Sequence, residues 1–175
     1  GGPRAPPTRR GEMTIRRTTA TPASREGTVK VRLFTLEVTA SKAPEFIDIT
    51  DRVVRFVQEA EVREGLLVVF SRHTTAAVRI NENEPLLLQD LERFLERAAP
   101  RNGHYLHNDF SIRTANLTDD ECPNGHAHCQ HLFLGTSEAI PIHEGRLLLG
   151  RWQRVFLIEL DHPRRREVAV QVIGV

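Results

Sequence analysis

The stretch Ser71–Asn83, which reads SRHTTAAVRINEN, decides the predicted fold of this chain. It overlaps the end of the apolar run Leu66–Ser71, whose branched residues after a glycine predict a short buried strand. Thr74–Ile80 alternates loosely and predicts a second strand, so the two form a hairpin or strand pair. His73 then lies between two strands, and Glu82 follows the second. A histidine and a carboxylate held by a sheet can form a site, or they can be a hydrogen-bonded histidine and a helix cap.

The segments on either side predict further strands and two helices. Val29–Thr39 alternates as a first strand. Apolar residues at helical spacing predict helices over about residues 50–63 and 84–98, with Thr50 and Asn83 as N-caps. Later strands are predicted at Ala127–Leu134, Ala139–His143, Arg146–Leu149, Gln153–Leu160 and Glu167–Ile173. No βα repeat recurs, so the predicted class is α+β, a β-rich sandwich or open barrel of mainly antiparallel strands with two main helices.

Length and composition predict a single domain over residues 28–175, preceded by a flexible basic extension over residues 1–27. The chain has 175 residues and a net charge of +1, but residues 1–30 carry seven Lys or Arg against two Glu. Interleaved aromatic residues are absent there, so we expect no nucleic-acid partner. No apolar run is typical of a membrane span or a signal peptide, and two cysteines are too few for a disulfide scaffold. We therefore expect a cytoplasmic protein with no membrane partner.

Histidines are the main candidates for chemistry. The chain has eight, and seven of them fall between residues 73 and 143. A catalytic zinc ion typically takes three protein ligands plus water, and imidazole is a common ligand. His73, His107 and His128 are candidates for such a triad. His126 and His128 are two residues apart on a predicted strand, so we expect both to point to the same face.

A local cluster of cysteine and histidine is the alternative metal site. Its members are Cys122, His126, Cys129 and His131. Their spacing matches no standard zinc finger, and strand alternation would turn Cys129 away from His126. No Walker loop, GxGxxG, GxSxG or HExxH motif occurs, so Ser/His/Asp nucleophilic chemistry has no motif support.

Several polar residues are candidate partners of a phosphate or another anionic group. Gly135-Thr136-Ser137 predicts a loop that either cradles phosphate or makes a turn. Trp152 either stacks on a heterocycle or packs in the core. Glu82, beside the positive end of the second predicted helix, is a candidate catalytic base together with His73. The candidate substrate-binding residues are Asn81, Asn83, Asn108, Thr136, Ser137, Trp152 and Gln153.

Motifs in a fixed order resemble the YjbQ-like family, which is named for secondary thiamine-phosphate synthase activity. They are HTTAAVRINEN, DLERF, the Tyr105–His107 loop, HAH and LGTSEAIPIHEGRLLLGRWQ, and the resemblance covers about residues 29–175. It implies an α+β fold, a homotrimer, and a pocket with metal-binding histidines at His73, His107 and His128. The chain departs from the family pattern between His107 and His128. Compact members have a shorter segment there, whereas this chain has the insert Asn108–Ala127, which contains acidic residues.

Three functional hypotheses follow. The resemblance implies an enzyme that joins a hydroxymethylpyrimidine diphosphate to a thiazole phosphate, with a divalent metal, expected to be zinc, assisting the leaving diphosphate. The second is a metal-dependent hydrolase of a small phosphorylated or anionic metabolite, with Glu82 as the base for zinc-bound water. The third is a module that binds an anion or a metal without catalysis. A three-histidine site suits zinc better than magnesium, which counts against diphosphate chemistry.

Overall fold

Two antiparallel sheets form the frame of residues 27–175, the part of the chain that our computed structural model describes. The elements in chain order are β1 Lys30–Thr39, β2 Glu45–Asp48, α1 Thr50–Ala60, β3 Gly65–Ser71, β4 Ala76–Glu82, α2 Pro85–Ala98, α3 Gly125–Leu134, β5 Ser137–His143, β6 Arg146–Leu147, β7 Gln153–Glu159 and β8 Arg165–Gly174. A short 3-10 turn covers Leu106–Asn108. The sheets have the strand orders β1-β8-β3-β5-β6 and β2-β7-β4. The predicted α+β class with antiparallel strands is confirmed.

Apolar side chains pack on both faces of the three-stranded sheet. One cluster joins the inner faces of the two sheets and α1, and a second joins the three-stranded sheet to α2 and α3. In β7, Val155 and Leu157 belong to the first cluster, whereas Phe156 and Ile158 belong to the second. Because both faces of β7 are buried, its sequence is a continuous apolar run without alternation.

The two strands of the Ser71–Asn83 region exist, but they do not form a hairpin. β3 pairs with β5 and β8, whereas β4 pairs with β7 in the other sheet. The chain crosses between the sheets at residues 72–75, and the Ser71 hydroxyl donates to the Ala76 carbonyl across this crossover at 2.6 Å. His73 therefore lies at a junction between two sheets and not in a hairpin turn.

Both main helices are confirmed, but their caps differ from the predicted ones. Thr50 is the first residue of α1, and its N–H and hydroxyl donate to Asp48 Oδ1 at 3.0 and 2.6 Å. The carboxylate of Glu84 caps α2 by accepting two N–H groups of the first turn at 2.9 and 2.7 Å. The cap of α2 is therefore not Asn83. A carboxylate at this position also benefits from the positive end of the helix.

The strand predicted at Ala127–Leu134 is wrong, because this segment is part of helix α3. Its polar and apolar residues are inverted with respect to a usual amphipathic helix. His126 and Gln130 are buried, while Leu132 and Phe133 are exposed. Gln130 Nε2 donates to two carbonyls at the end of α2, at 3.3 and 3.0 Å. These contacts hold Gln130 in its buried position, and hydrophobic periodicity gives no sign of them.

The helices within residues 27–175 are all too short or too polar to cross a membrane. The predicted basic extension lies outside the described residues, apart from Gly27. A cytoplasmic location and the homotrimer stay predictions.

Candidate functional site

One cavity of about 470 Å³ brings together the three histidines singled out from the sequence. It lies where the β3–β4 crossover, the 3-10 turn, the start of α3 and the β7–β8 loop meet. His73, His107 and His128 come from three of these four segments. The other lining residues are polar or charged: Arg72, Thr74, Thr75, Arg113, Asn116, Glu121, Asn124, Asp161, Arg164 and Arg166. We call this space the histidine cavity.

His73 is held by the open edge of β8. β3 ends at Ser71, opposite Val168, so no β3 residue pairs with Glu167. The N–H of Glu167 donates instead to His73 Nε2 at 3.2 Å. Burial, and then the nearby Arg166 guanidinium, lower the pKa of His73. A neutral ring that accepts at Nε2 carries its proton on Nδ1, so the remaining nitrogen of His73 is an N–H donor.

His107 and His128 form a close pair of imidazoles. Their ring centroids are 4.6 Å apart, and the rings meet edge to face at 67°. Burial, followed by the proximity of His107, lowers the pKa of His128. His107 Nε2 is buried and has no hydrogen-bond partner within the described part of the chain. Such an atom is rare in a folded protein and indicates a position for a water molecule, an ion or a ligand atom.

A hydrogen bond fastens the turn that carries His107 to the helix that carries His128. Asn108 Oδ1 accepts the N–H of Gly125 at 2.8 Å. A Cβ atom at Gly125 would lie 2.6 Å from Tyr105 Cβ, so this close approach requires glycine. Asn108, a candidate substrate-binding residue, therefore positions the histidine pair.

His126 and His128 do not share a face, contrary to the strand prediction. In a helix, residues two apart are rotated by about 200° around the helix axis, so their side chains point to nearly opposite sides. His128 lines the histidine cavity, whereas His126 is buried with 1% of its surface exposed. Cys129 is exposed on α3. The alternative cluster of Cys122, His126, Cys129 and His131 does not form among residues 27–175.

A buried ion pair that sequence analysis missed forms one wall of the cavity. Arg166 Nε and Nη2 donate to the two carboxylate oxygens of Glu159 at 2.6 and 2.7 Å. Arg166 Nη2 also donates to Thr75 Oγ1 at 2.9 Å. Glu159 follows the apolar run of β7 directly, and a charged residue at a buried strand position was the signal that could have revealed the pair.

Asp161 joins the β7–β8 loop to the insert Asn108–Ala127. It is 2% exposed. Asn124 Nδ2 donates to its Oδ2 at 3.2 Å, and Arg164 Nη1 lies 3.7 Å from the same oxygen. Burial acts to raise the pKa of Asp161, but hydrogen bonds from His162 and Asn124 outweigh it, so the pKa is lowered. The insert is thus part of the cavity wall and not only surface decoration.

Glu82 lies at the opposite end of β4 from the histidine cavity. The strand runs from Ala76 to Glu82, and at about 3.3 Å per residue its two ends are about 20 Å apart. Glu82 lines a different cavity with Asn83 and Trp152. The predicted cooperation of Glu82 with His73 on one bound group therefore cannot occur within one chain.

Three other candidate substrate residues share this distant region. Asn81, Trp152 and Gln153 line a shallow depression. Gln153 Oε1 accepts the N–H of Gly150 at 2.7 Å. Trp152 is exposed, with the guanidinium of Arg151 4.6 Å from its ring centre. Core packing, one of the two interpretations of Trp152, is therefore wrong.

The loop at Thr136 and Ser137 connects the two sheets. The Thr136 carbonyl accepts the N–H of Ser71 at 2.8 Å, and the Gly135 carbonyl accepts the N–H of Val78 at 3.2 Å. Ser137 is the first residue of β5. Neither Thr136 nor Ser137 lines the histidine cavity, so the geometry favours the turn interpretation over a phosphate cradle.

The expected three-histidine zinc site does not fit this geometry. Within residues 27–175, no choice of ring nitrogens brings His73, His107 and His128 within 4.8 Å of one another. His73 also uses Nε2 to accept the N–H of Glu167, so its other nitrogen carries a proton and has no lone pair for a metal. Zinc at these histidines stays a prediction that requires His73 to release Glu167.

Comparison with known proteins establishes the family. The family model described as "UPF0047 protein YjbQ-like" matches residues 34–175. The chain belongs to this family. A UPF0047 protein of Methanothermobacter thermautotrophicus is 39% identical over 139 residues, covering 79% of this chain and 90% of that protein. The UPF0047 protein YjbQ of Escherichia coli O157:H7 is 35% identical over 122 residues, covering 69% of this chain and 81% of that protein.

Solved structures of the family share the fold. A YbjQ-like protein of unknown function from Sulfolobus solfataricus P2 superposes with a TM-score of 0.76 at 32% identity, covering 85% of this chain and 100% of that one. A hypothetical protein from Aeropyrum pernix K1 superposes with a TM-score of 0.73 at 34% identity, covering 82% of this chain and 99% of that one. The resemblance inferred from the sequence motifs is therefore confirmed.

The expected thiamine-phosphate synthase activity is overturned. The matching family and its relatives are described only as UPF0047 proteins, and the solved relative is described as being of unknown function. Membership of this family thus supports the fold and not a reaction. The hydrolase hypothesis loses its mechanism as well, because Glu82 does not reach the histidine cavity within one chain.

Proposed function

We propose that the histidine cavity binds a small metabolite through a phosphate or carboxylate group. The observation that carries the proposal is the fixed state of His73. Its Nε2 accepts a backbone N–H, and its lowered pKa keeps the ring neutral near pH 7. His73 therefore offers an N–H donor at Nδ1 without bringing a full charge into the cavity.

Two arginines of the cavity have donors available for an anion. The nearest carboxylate to Arg164 Nη1 is Asp161 at 3.7 Å, and the nearest to Arg72 Nη1 is Glu167 at 3.9 Å. Both separations exceed hydrogen-bond length. The guanidinium group is a planar fork that matches a phosphate or carboxylate with two parallel hydrogen bonds.

The other two arginines of the cavity are occupied and act as structure. Arg166 is paired with Glu159, and Arg113 donates to Glu121 at 3.0 Å and to backbone carbonyls of the insert. Arg72 and Arg164 therefore supply positive charge to the cavity, whereas the charges of Arg113 and Arg166 are neutralised by their carboxylate partners. A volume of about 470 Å³ is in the range of small-molecule sites.

The pair His107–His128 gives the cavity acid–base groups beside the bound anion. Burial and then the proximity of His107 lower the pKa of His128, so the His128 ring is neutral near pH 7 and can accept a proton. That the chain is an enzyme stays a prediction, and His128→Asn is the variant that would separate catalysis from binding.

Calorimetric titration with inorganic phosphate and pyrophosphate tests the binding proposal. We expect Arg164→Ala to weaken binding by about tenfold, because losing a charge-assisted hydrogen bond from a half-exposed side chain costs about 1.5 kcal/mol. Arg72→Ala should act in the same direction. The matched control is Arg151→Ala, which removes an arginine beside Trp152 at the far end of β4. Equal affinity in wild type and both cavity variants, or equal weakening in the control, contradicts the proposal.

A further inference from the structure

A second group of side chains lies on the far side of Asp161 from the histidine cavity. It consists of Cys122 from the insert, Asp161, and His162 from the β7–β8 loop. Cys122 Sγ is 3.7 Å from Asp161 Oδ1 and 3.7 Å from His162 Nδ1, and this nitrogen is 3.1 Å from Asp161 Oδ1. Within residues 27–175, this is the one group of three potential metal-ligand atoms lying within 4.8 Å of one another.

We propose that Cys122, Asp161 and His162 bind a divalent cation of the zinc type, and that the ion ties the insert to the β7–β8 loop. The donor set is one thiolate sulfur, one imidazole nitrogen and one carboxylate oxygen. Zinc accepts all three kinds, whereas magnesium and calcium take oxygen ligands. The proposal does not rest on the proposed anion binding, although Asp161 and Arg164 line both cavities.

The distances among the three atoms match a tetrahedral ion. Bond lengths of about 2.3 Å to sulfur and about 2.1 Å to nitrogen or oxygen place sulfur about 3.6 Å from each of the other ligands, and nitrogen about 3.4 Å from oxygen. The observed separations are 3.7, 3.7 and 3.1 Å. An ion therefore fits with shifts of a few tenths of an ångström and without backbone rearrangement.

The same geometry speaks against a nucleophilic triad. In a Cys-His-acid triad, one ring nitrogen faces the nucleophile and the other faces the acid. Here His162 Nδ1 faces both Cys122 Sγ and Asp161 Oδ1. A single nitrogen cannot take the proton of the thiol while donating its own to the carboxylate. Convergence of three lone-pair atoms on one point is what a metal ion requires.

The surroundings of Asp161 are those of a positioned metal ligand. Its Oδ2 accepts from Asn124 at 3.2 Å and faces Arg164 at 3.7 Å, which leaves Oδ1 turned toward Cys122 and His162. Contacts of this kind orient ligands and raise metal affinity.

Charge balance also supports a dication at this position. On binding, the thiol loses its proton to solvent, and the His162 ring, which donates from Nδ1 to Asp161 in the metal-free chain, carries its proton on Nε2 instead. The two negative ligands then neutralise the ion. Asp120 lines the same cavity and adds negative charge, whereas Glu121 is paired with Arg113, and Arg164 adds positive charge. The fourth tetrahedral position is open to water.

Cobalt titration of the full chain, freed of metal by a chelator and kept reduced, tests the site. We expect one equivalent of Co²⁺ to produce the near-ultraviolet absorption of a sulfur–cobalt bond. Cys122→Ser should abolish this band, and the matched control Cys129→Ser, which removes the exposed thiol of α3, should retain it. Asn124→Ala should weaken cobalt binding by about 10–100-fold, because it removes the hydrogen bond that orients Asp161.

Alternative outcomes are separable. Cobalt binding without the sulfur band overturns the proposal, and so does a band that survives in Cys122→Ser. Loss of cobalt binding in His128→Ala but not in Cys122→Ser would place the metal in the histidine cavity and would also overturn it. If Cys122→Ser does not fold, thiol alkylation of the wild type tests the site instead. Zinc should slow the alkylation of Cys122 but not that of Cys129, and alkylation of Cys122 at the same rate with and without zinc would overturn the proposal. Phosphate affinity of metal-free Cys122→Ser should equal that of the wild type, so the two proposals can fail separately.

Discussion

Replacing Glu159 by glutamine leaves a buried cation without its partner, and we expect a large loss of stability. The Glu159 side chain is 0% exposed and that of Arg166 is 4% exposed. The carboxylate accepts two hydrogen bonds from the guanidinium at 2.6 and 2.7 Å. It also accepts the N–H groups of Leu160 and Asp161 at 3.2 and 3.0 Å. Glutamine keeps the shape and one acceptor oxygen but removes the charge.

The size of the loss follows from this geometry. Each charge-assisted hydrogen bond contributes about 1.5–3 kcal/mol, and breaking one partner of a buried ion pair costs about 3–5 kcal/mol. Solvent screening reduces this little, because both side chains are buried. For a domain of this size each kcal/mol corresponds to about 2–4 °C, so the melting temperature should fall by about 6–20 °C.

Urea unfolding followed by circular dichroism, at one protein concentration, measures the effect. The double variant Glu159→Gln/Arg166→Met removes the stranded charge and should recover most of the lost free energy. A loss below about 1 kcal/mol in Glu159→Gln, which is well under the range for a broken buried pair, would refute the reasoning. A double variant as unstable as the sum of the two single variants would refute it as well.

Two further predictions concern packing and pH. Gly65→Ala should destabilise the chain by about 1–3 kcal/mol or more, because its Cβ would lie 2.0 Å from the Ile173 carbonyl oxygen. Gly27→Ala, whose Cβ would lie 3.4 Å from Val175 Cβ, serves as the control in thermal unfolding. Stability should fall as pH drops below 6.5, because burial and then Arg101 lower the pKa of His126 and the unfolded chain binds the proton first. The urea midpoint should reflect a loss of about 1.4 kcal/mol per pH unit for this group until its folded pKa is passed, and an unchanged pH slope in His126→Leu would count against this account.

Local patterns were sufficient for most of the secondary structure. The alternation of β1 and the apolar runs of β3 and β7 occur in consecutive residues, so a single sequence displays them. Helix α3 and the short strand β2 were the exceptions. The buried side of α3 carries His126 and Gln130, and Gln130 is held by carbonyls of α2 that are distant in the chain. Strand β2 spans only Glu45–Asp48.

The sequence by itself determined most of the strands, the two main helices, the family and the three histidines of the cavity. Tertiary structure decided which strands pair, and thereby placed His73 at a crossover and Glu82 about 20 Å away along β4, at about 3.3 Å per residue. It alone brought Cys122 beside Asp161, across 39 positions of chain. Periodicity reports only which face of an element is buried. Hydrogen-bond partners, nitrogen protonation and ligand geometry depend on residues that meet after the sheets close, and no local pattern encodes them.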